Sequence, residues 1–272
     1  MSYNLEFFVR MEPKWNQPLE ENQDCYSINN ERGFFVLADG MGGTKCGAYA
    51  SNFVVRLVSK EICSSLDKIR NATEEEAVEL ISSIVRQANS ELIKEGEKSK
   101  ECKGMGTTLD LGILKGEQLY ISHVGDAGVY SYDNNCVLKK LTKDDTRVNR
   151  LVEKGIAFPE SAYFRENDPL TKFIGKNGGL SPCTFSIKLD GIKYIFAATD
   201  GITKQLLPEE LEKSFMKETE EEILSAIFEI VSQPKGLAEL YQKKGELVGE
   251  DAISKLANRD DATGIVARVV VK

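Results

Sequence analysis

The chain has 272 residues, 41% of them hydrophobic and 29% charged, with a formal net charge of −8. Acids and bases are interspersed, which argues against a nucleic-acid surface, and no apolar run approaches the ~18 residues needed to span a bilayer. The opening MSYNLEFFVRMEPK lacks the apolar core of a secretion signal, so a cytoplasmic location is expected. Cys25, Cys46, Cys63, Cys102, Cys136 and Cys183 form no CxxC pair and are expected to be reduced thiols.

In chain order, CYSIN (25–29) and FFVLA (34–38) are strand candidates joined by the loop NERG. In a plain hairpin Asn29 pairs with Phe34 and Cys25 with Ala38. One step further, Asp24 falls opposite Asp39, two like charges at the open end. Residues 47–66 set Ala50, Phe53, Val54, Leu57, Val58, Ile62 and Leu66 at helical spacing. A second helix starts at Thr73 with Glu76 three residues on, a capping-box pattern, and buries Ala77, Leu80, Ile81, Ile84, Val85 and Ala88. Strands are predicted at 107–114, 118–124, 129–133, 136–141, 183–189 and 192–199, with Asp190-Gly191 a turn. Between them, residues 143–180 read as a surface helix and loops, with Gly155 as a helix C-cap. Helical patterns return between about 208 and 257, where the acidic stretch from Glu209 to Glu222 reads as a solvated helix face, and 263–271 closes as a strand. No repeat or linker divides the chain, and hairpins with clustered helices predict antiparallel sheets covered by helices.

A strand followed by an aspartate recurs. Asp39 follows FFVLA, Asp200 follows YIFAAT, and Asp260 and Asp261 precede the last strand. Neighbouring antiparallel strands share an edge, so Asp24, Asp39, Asp200 and Asp260 can converge on one rim. Taken singly, Asp39-Gly40 or Asp200-Gly201 reads as a turn; the recurrence favours the rim. Converging carboxylates need cations. With one histidine and no paired cysteines, all-oxygen ligation selects magnesium or manganese, and two such ions sharing an aspartate can activate water against a phosphoryl group. The glycines after Asp39 would let the backbone approach a metal. His123 alternates with Leu119 and Ile121 and reads as a satisfied, half-buried histidine rather than a proton carrier. Cysteine-phosphatase, Walker and GxSxG motifs are absent.

NQD (22–24), LADGMGG (37–43), GTT (106–108), HVGDAGVY (123–130), LT (141–142), ATDGI (198–202) and RDDAT (259–263) occur in order. Over roughly residues 20–270 this set resembles the bacterial form of the metal-dependent protein phosphatases of the PPM family, type 2C. The resemblance implies an α+β fold in which two antiparallel β-sheets form a sandwich flanked by helices, four layers in α-β-β-α order. It implies one domain over 1–272, with 143–180 as a flap that varies among relatives near the cleft. The implied activity is hydrolysis of phosphoserine and phosphothreonine in proteins by a metal-activated water, with two core Mn2+ or Mg2+ ions and room for a third.

By position, Asp39 would bridge the core ions, Gly40 would offer its carbonyl to one of them, and Asp200 and Asp260 would complete the shell of the second ion. Asp24 would act through metal-bound water, and Asp126 would hold the third, looser ion together with Asp200. Asp261 sits where Asn or Asp is common. The implied partner is a phosphorylated protein, with a Ser/Thr kinase as counterpart; the protein itself is expected to be a monomer binding neither nucleic acid nor membrane. Three positions depart from the pattern. Leu19 stands where many relatives grip phosphate with arginine, Met41 where eukaryotic relatives have histidine, and Gly128 where the GDSR turn has arginine. Methionine is usual at position 41 in bacterial relatives, but Leu19 and Gly128 leave open a catalytically weak or inactive regulatory module that binds a phosphoprotein, and Leu19 a relocated phosphate clamp at Arg10, Lys14 or Arg165.

Overall fold

The computed structural model describes residues 2–14, 18–41, 44–156, 168–232 and 260–271. Strand β3 (Phe34–Met41) shows how the layers are built. Phe34, Val36 and Ala38 are buried on one face, Phe35 and Leu37 on the other. This is the period-two alternation of a strand covered on both sides. The first face meets helices α1 (Thr44–Asn71) and α2 (Glu74–Gly96). The second meets the opposing sheet.

One sheet runs β2 (Asp24–Asn29), β3, β5 (Leu109–Lys115), β6 (Gln118–Val124) and β9 (Cys183–Lys188), with short β4 (Gly106–Thr107) also on β3. The other runs β1 (Tyr3–Glu12), β11 (Ala262–Val271), β10 (Ile192–Ala198), β7 (Gly128–Asp133) and β8 (Leu138–Lys140). Every pairing is antiparallel. Between the sheets, Phe35, Leu37 and Ile121 pack with Leu5, Val129, Ile195 and Ile265. On the outer face of the second sheet lie α4 (Asp200–Thr203), α5 (Pro208–Ser214) and α6 (Glu220–Val231). Phe215, just after α5, stacks on Tyr132 with ring centroids 5.2 Å apart and meets Phe196 edge-on at 5.4 Å. The result is the expected α-β-β-α sandwich.

Local signals read from sequence recur in detail. Thr73 Oγ1 accepts from Glu76 N–H (3.3 Å) and Glu76 Oε2 from Thr73 N–H (2.8 Å), closing the capping box. Helix α3 (Arg147–Glu153) is followed by Gly155 at φ 67°.

Five expectations need correction. Strand β1 was not anticipated, because only Leu5 and Phe7 of it are buried; its ladder comes from β11, far away in sequence. The strand expected at 107–114 breaks at Thr108, whose N–H turns aside to the Asp39 carbonyl (2.8 Å). The acidic stretch is not all solvated: Glu220 is buried against Arg268 (3.3 Å). Not all cysteines are reduced thiols, since Cys46 and Cys102 form a disulfide with Cα atoms 5.4 Å apart. They lie 56 residues apart in sequence, and the fold brings the start of α1 beside the segment after α2. His123 is fully buried rather than half-buried. Of the helical region at 208–257, residues 233–257 lie outside the described residues, as do 157–167 of the segment at 143–180. Among the described residues, no helix is long and apolar enough to cross a membrane.

Candidate active site

The β2–β3 hairpin has the register its loop length predicts, from Asn29 opposite Phe34 to Asp24 opposite Asp39. Asp39 is the single acid of a strand whose other side chains are apolar, and its backbone is strapped from the neighbouring segment. Thr107 Oγ1 and Thr108 N–H both donate to its carbonyl at 2.8 Å, and Thr108 Oγ1 accepts from its N–H at 3.0 Å.

Asp39 faces other acids. Burial raises its pKa well above the usual carboxylate range, and Asp200, Asp24, Asp260 and Asp126 each push it further. Asp24 is raised in the same way by burial, although hydrogen bonds from Thr263 and Thr199 oppose the shift. Burial and Asp200 lift Asp126 to about 6, against the pull of Lys204. Asp260, at the exposed edge, is raised by partial loss of water and by Asp200. Strand ends from both sheets therefore deliver Asp24, Asp39, Asp126, Asp200 and Asp260 to one rim.

The sixth acid has another task. Asp261 Oδ1 accepts from Lys14 N–H (2.7 Å) and its Oδ2 from Gln23 N–H (2.8 Å), tying two N-terminal segments to the end of β11.

Both Asp-Gly pairs at the rim prove to be packing devices, not turns. A Cβ on Gly40 would lie 2.0 Å from the Gly47 carbonyl oxygen of α1, and one on Gly201 would lie 2.0 Å from the Asp261 carbonyl oxygen. Gly40 is thus required first by the close approach of α1; Gly42 and Gly43 lie outside the described residues. Gly191, by contrast, has φ 76° with open space around it and is the plain turn that sequence predicts.

Several functional residues escaped sequence reasoning. Thr199 and Thr263 both donate to Asp24 Oδ2, at 2.8 and 2.7 Å. They stand beside Asp200 and two residues beyond Asp261, inside the ATDGI and RDDAT motifs, which was the available signal. Lys204 Nζ lies 2.6 Å from both Asp126 Oδ2 and Asp200 Oδ2. Burial disfavours that ammonium, but Asp200 and Asp126 outweigh it and raise its pKa. Leu19 is 60% exposed on a short 3-10 turn. Arg10 is paired with Glu12 (2.6 Å) and lies over the face of Phe228 (4.9 Å). Lys14 is close enough to Asp260 to lower its pKa. Arg165 lies outside the described residues.

The donor set suits a hard cation. It is all oxygen, and Asp24 Oδ1 and Asp200 Oδ1 are buried with no hydrogen-bond partner among the described residues. Buried anionic oxygens left so are costly unless a cation or water meets them. Among the described residues, no three acidic, histidine or cysteine side chains are drawn into a closed cation cage.

The chain matches the profile of a family described as "Protein phosphatase 2C" over residues 19–240. It is 30% identical over 199 residues to the serine/threonine phosphatase stp of Listeria monocytogenes, covering 71% of this chain and 76% of that protein. Its fold superimposes on the crystal structure of the serine/threonine phosphatase Stp1 from Staphylococcus aureus with a TM-score of 0.78. That match has 24% identity and covers 98% of this chain and 96% of that one. The catalytic domain of the phosphatase PstP, solved in complex with two manganese ions, gives a TM-score of 0.74 at 22% identity, over 99% of this chain and 100% of that one.

Proposed function

The chain belongs to the protein phosphatase 2C family, and from that premise we propose that its aspartate rim holds two manganese or magnesium ions for hydrolysis of phosphoserine and phosphothreonine in proteins. The enzyme class is protein-serine/threonine phosphatase. The observation that carries the site assignment is the position of Asp39, strapped by Thr107 and Thr108 and facing four other carboxylates.

In this reading Asp39, the Gly40 carbonyl, Asp200 and Asp260 would hold the ions, with Asp39 shared between them, and Asp24 would support the site from behind them. When bound, such ions supply Lewis acidity, polarising the phosphoryl oxygens and making water a nucleophile at neutral pH. The chain does the positioning. Thr199 and Thr263 fix Asp24 Oδ2, which leaves Oδ1 for the centre. Asp261 holds the segments carrying Lys14 and Gln23 against the rim. Lys14 replaces the guanidinium that Leu19 cannot offer to the substrate phosphate.

The whole of 1–272 acts as one phosphatase domain, with 143–180 as its variable flap. It works as a monomer in the cytoplasm opposite a Ser/Thr kinase, and in that compartment the Cys46–Cys102 pair would be open to reduction. The purified protein should hydrolyse a phosphothreonine peptide only with added manganese or magnesium, manganese being the better activator. Undiminished turnover after exhaustive chelation would overturn the metal assignment.

A further inference from the structure

The family resemblance gives Asp126 and Asp200 a third, looser ion, yet an ammonium stands between them. Lys204 Nζ donates to Asp126 Oδ2 and to Asp200 Oδ2, each at 2.6 Å. The arrangement is built, not incidental. Lys204 follows Asp200 by four residues, and its backbone N–H bonds the Asp200 carbonyl (2.9 Å), so both side chains share one helical face. Asp126 arrives from the turn between β6 and β7 and is only 6% exposed.

A divalent ion on these oxygens would have to expel the ammonium, because two cations cannot share them at such distances without strong repulsion. Asp200 divides its oxygens accordingly. Oδ2 is committed to Lys204, while Oδ1 is buried with no partner among the described residues.

We propose that Lys204 is the third cation of this site, its ammonium replacing a divalent ion between Asp126 and Asp200. The enzyme then works with two metal ions and one tethered charge. The tethered charge is present at every metal concentration, and it holds Asp200 in place for the core pair. This inference rests on the two-ion reading above.

Equilibrium dialysis against manganese chloride tests both. Wild type should bind about two ions per chain. Lys204→Ala should bind one more, and Lys204→Ala/Asp126→Ala should lose that extra ion. Should Lys204→Ala not fold, as judged by circular dichroism, Lys204→Gln keeps the stem without the charge and takes its place. A wild type that binds an additional ion removable by Asp126→Ala overturns the proposal, as does a Lys204 variant that gains none. In either case, wild-type ions that Asp39→Asn removes leave the two-ion reading intact. A wild type that binds no manganese overturns both.

Discussion

Asp110 and Asp39 sit on adjacent strands of one sheet, Asp110 opposite Leu37 and Asp39 two residues further on, and they meet opposite surroundings. Asp110 is paired across to His123, whose Nδ1 lies 2.8 Å from Asp110 Oδ1 and whose Nε2 lies 3.0 Å from the Lys143 carbonyl oxygen. Both ring nitrogens face acceptors, so both carry protons and the imidazolium is charged. Asp39 meets Asp24, Asp126, Asp200 and Asp260 instead. An acid whose counter-charge the chain supplies belongs to the scaffold. One whose neighbours share its sign is kept for a cation from outside.

Asp39→Asn tests that contrast most severely. Turnover should fall about a thousandfold or more, since several kcal/mol of charge stabilisation are lost. The metal-free variant should nevertheless unfold at higher urea than metal-free wild type. The Asp39 pKa is raised in the fold, so its ionisation above the unfolded value near 4 costs stability at neutral pH. Wild-type activity, or a lower urea midpoint, would erase the difference between the two acids.

His123→Ala should act in the other direction, destabilising by about 3–5 kcal/mol because Asp110 is left buried without a counter-ion. Its pH dependence sharpens the point. Burial lowers the imidazole pKa, but Asp110, with Asp145 and Asp144 beyond it, raises it overall. The stabilisation is therefore complete below the unfolded value near 6.5 and is lost as pH rises through the raised folded value. Urea unfolding should show the gap between wild type and variant shrinking at alkaline pH; a constant gap would mean a neutral ring.

The smallest effect lies at the open end of the rim. Lys14→Ala should raise KM for a small aryl phosphate roughly tenfold with kcat unchanged. Unaltered KM would return the phosphate contact to the flap.

What could be read from sequence was local. The hairpin register that opposes Asp24 to Asp39 follows from a four-residue loop between two apolar runs, and the Thr73 capping box from three-residue spacing. What could not be read depended on partners distant in the chain. Strand β1 is a weak pattern, completed by β11. The glycines at 40 and 201 are demanded by Gly47 and Asp261, so their purpose is invisible until α1 and β11 are in place. Lys204 is four residues from Asp200 and legible as an ion pair, but its second carboxylate comes from a turn 78 residues earlier. The Cys46–Cys102 link was hidden for the same reason.

Strand β11 lies between β1 and β10, pairing with the first along ten residues from Tyr3 opposite Val271 to Glu12 opposite Ala262. It also delivers Asp260 to the rim and Thr263 to Asp24. During synthesis β1 must therefore wait, unpaired along that edge, until residues 262–271 have left the ribosome, and such long-range closure is slow. The rim is completed only with that strand, so a nascent chain that has not yet reached residues 260–271 lacks both Asp260 and the Thr263 contact to Asp24.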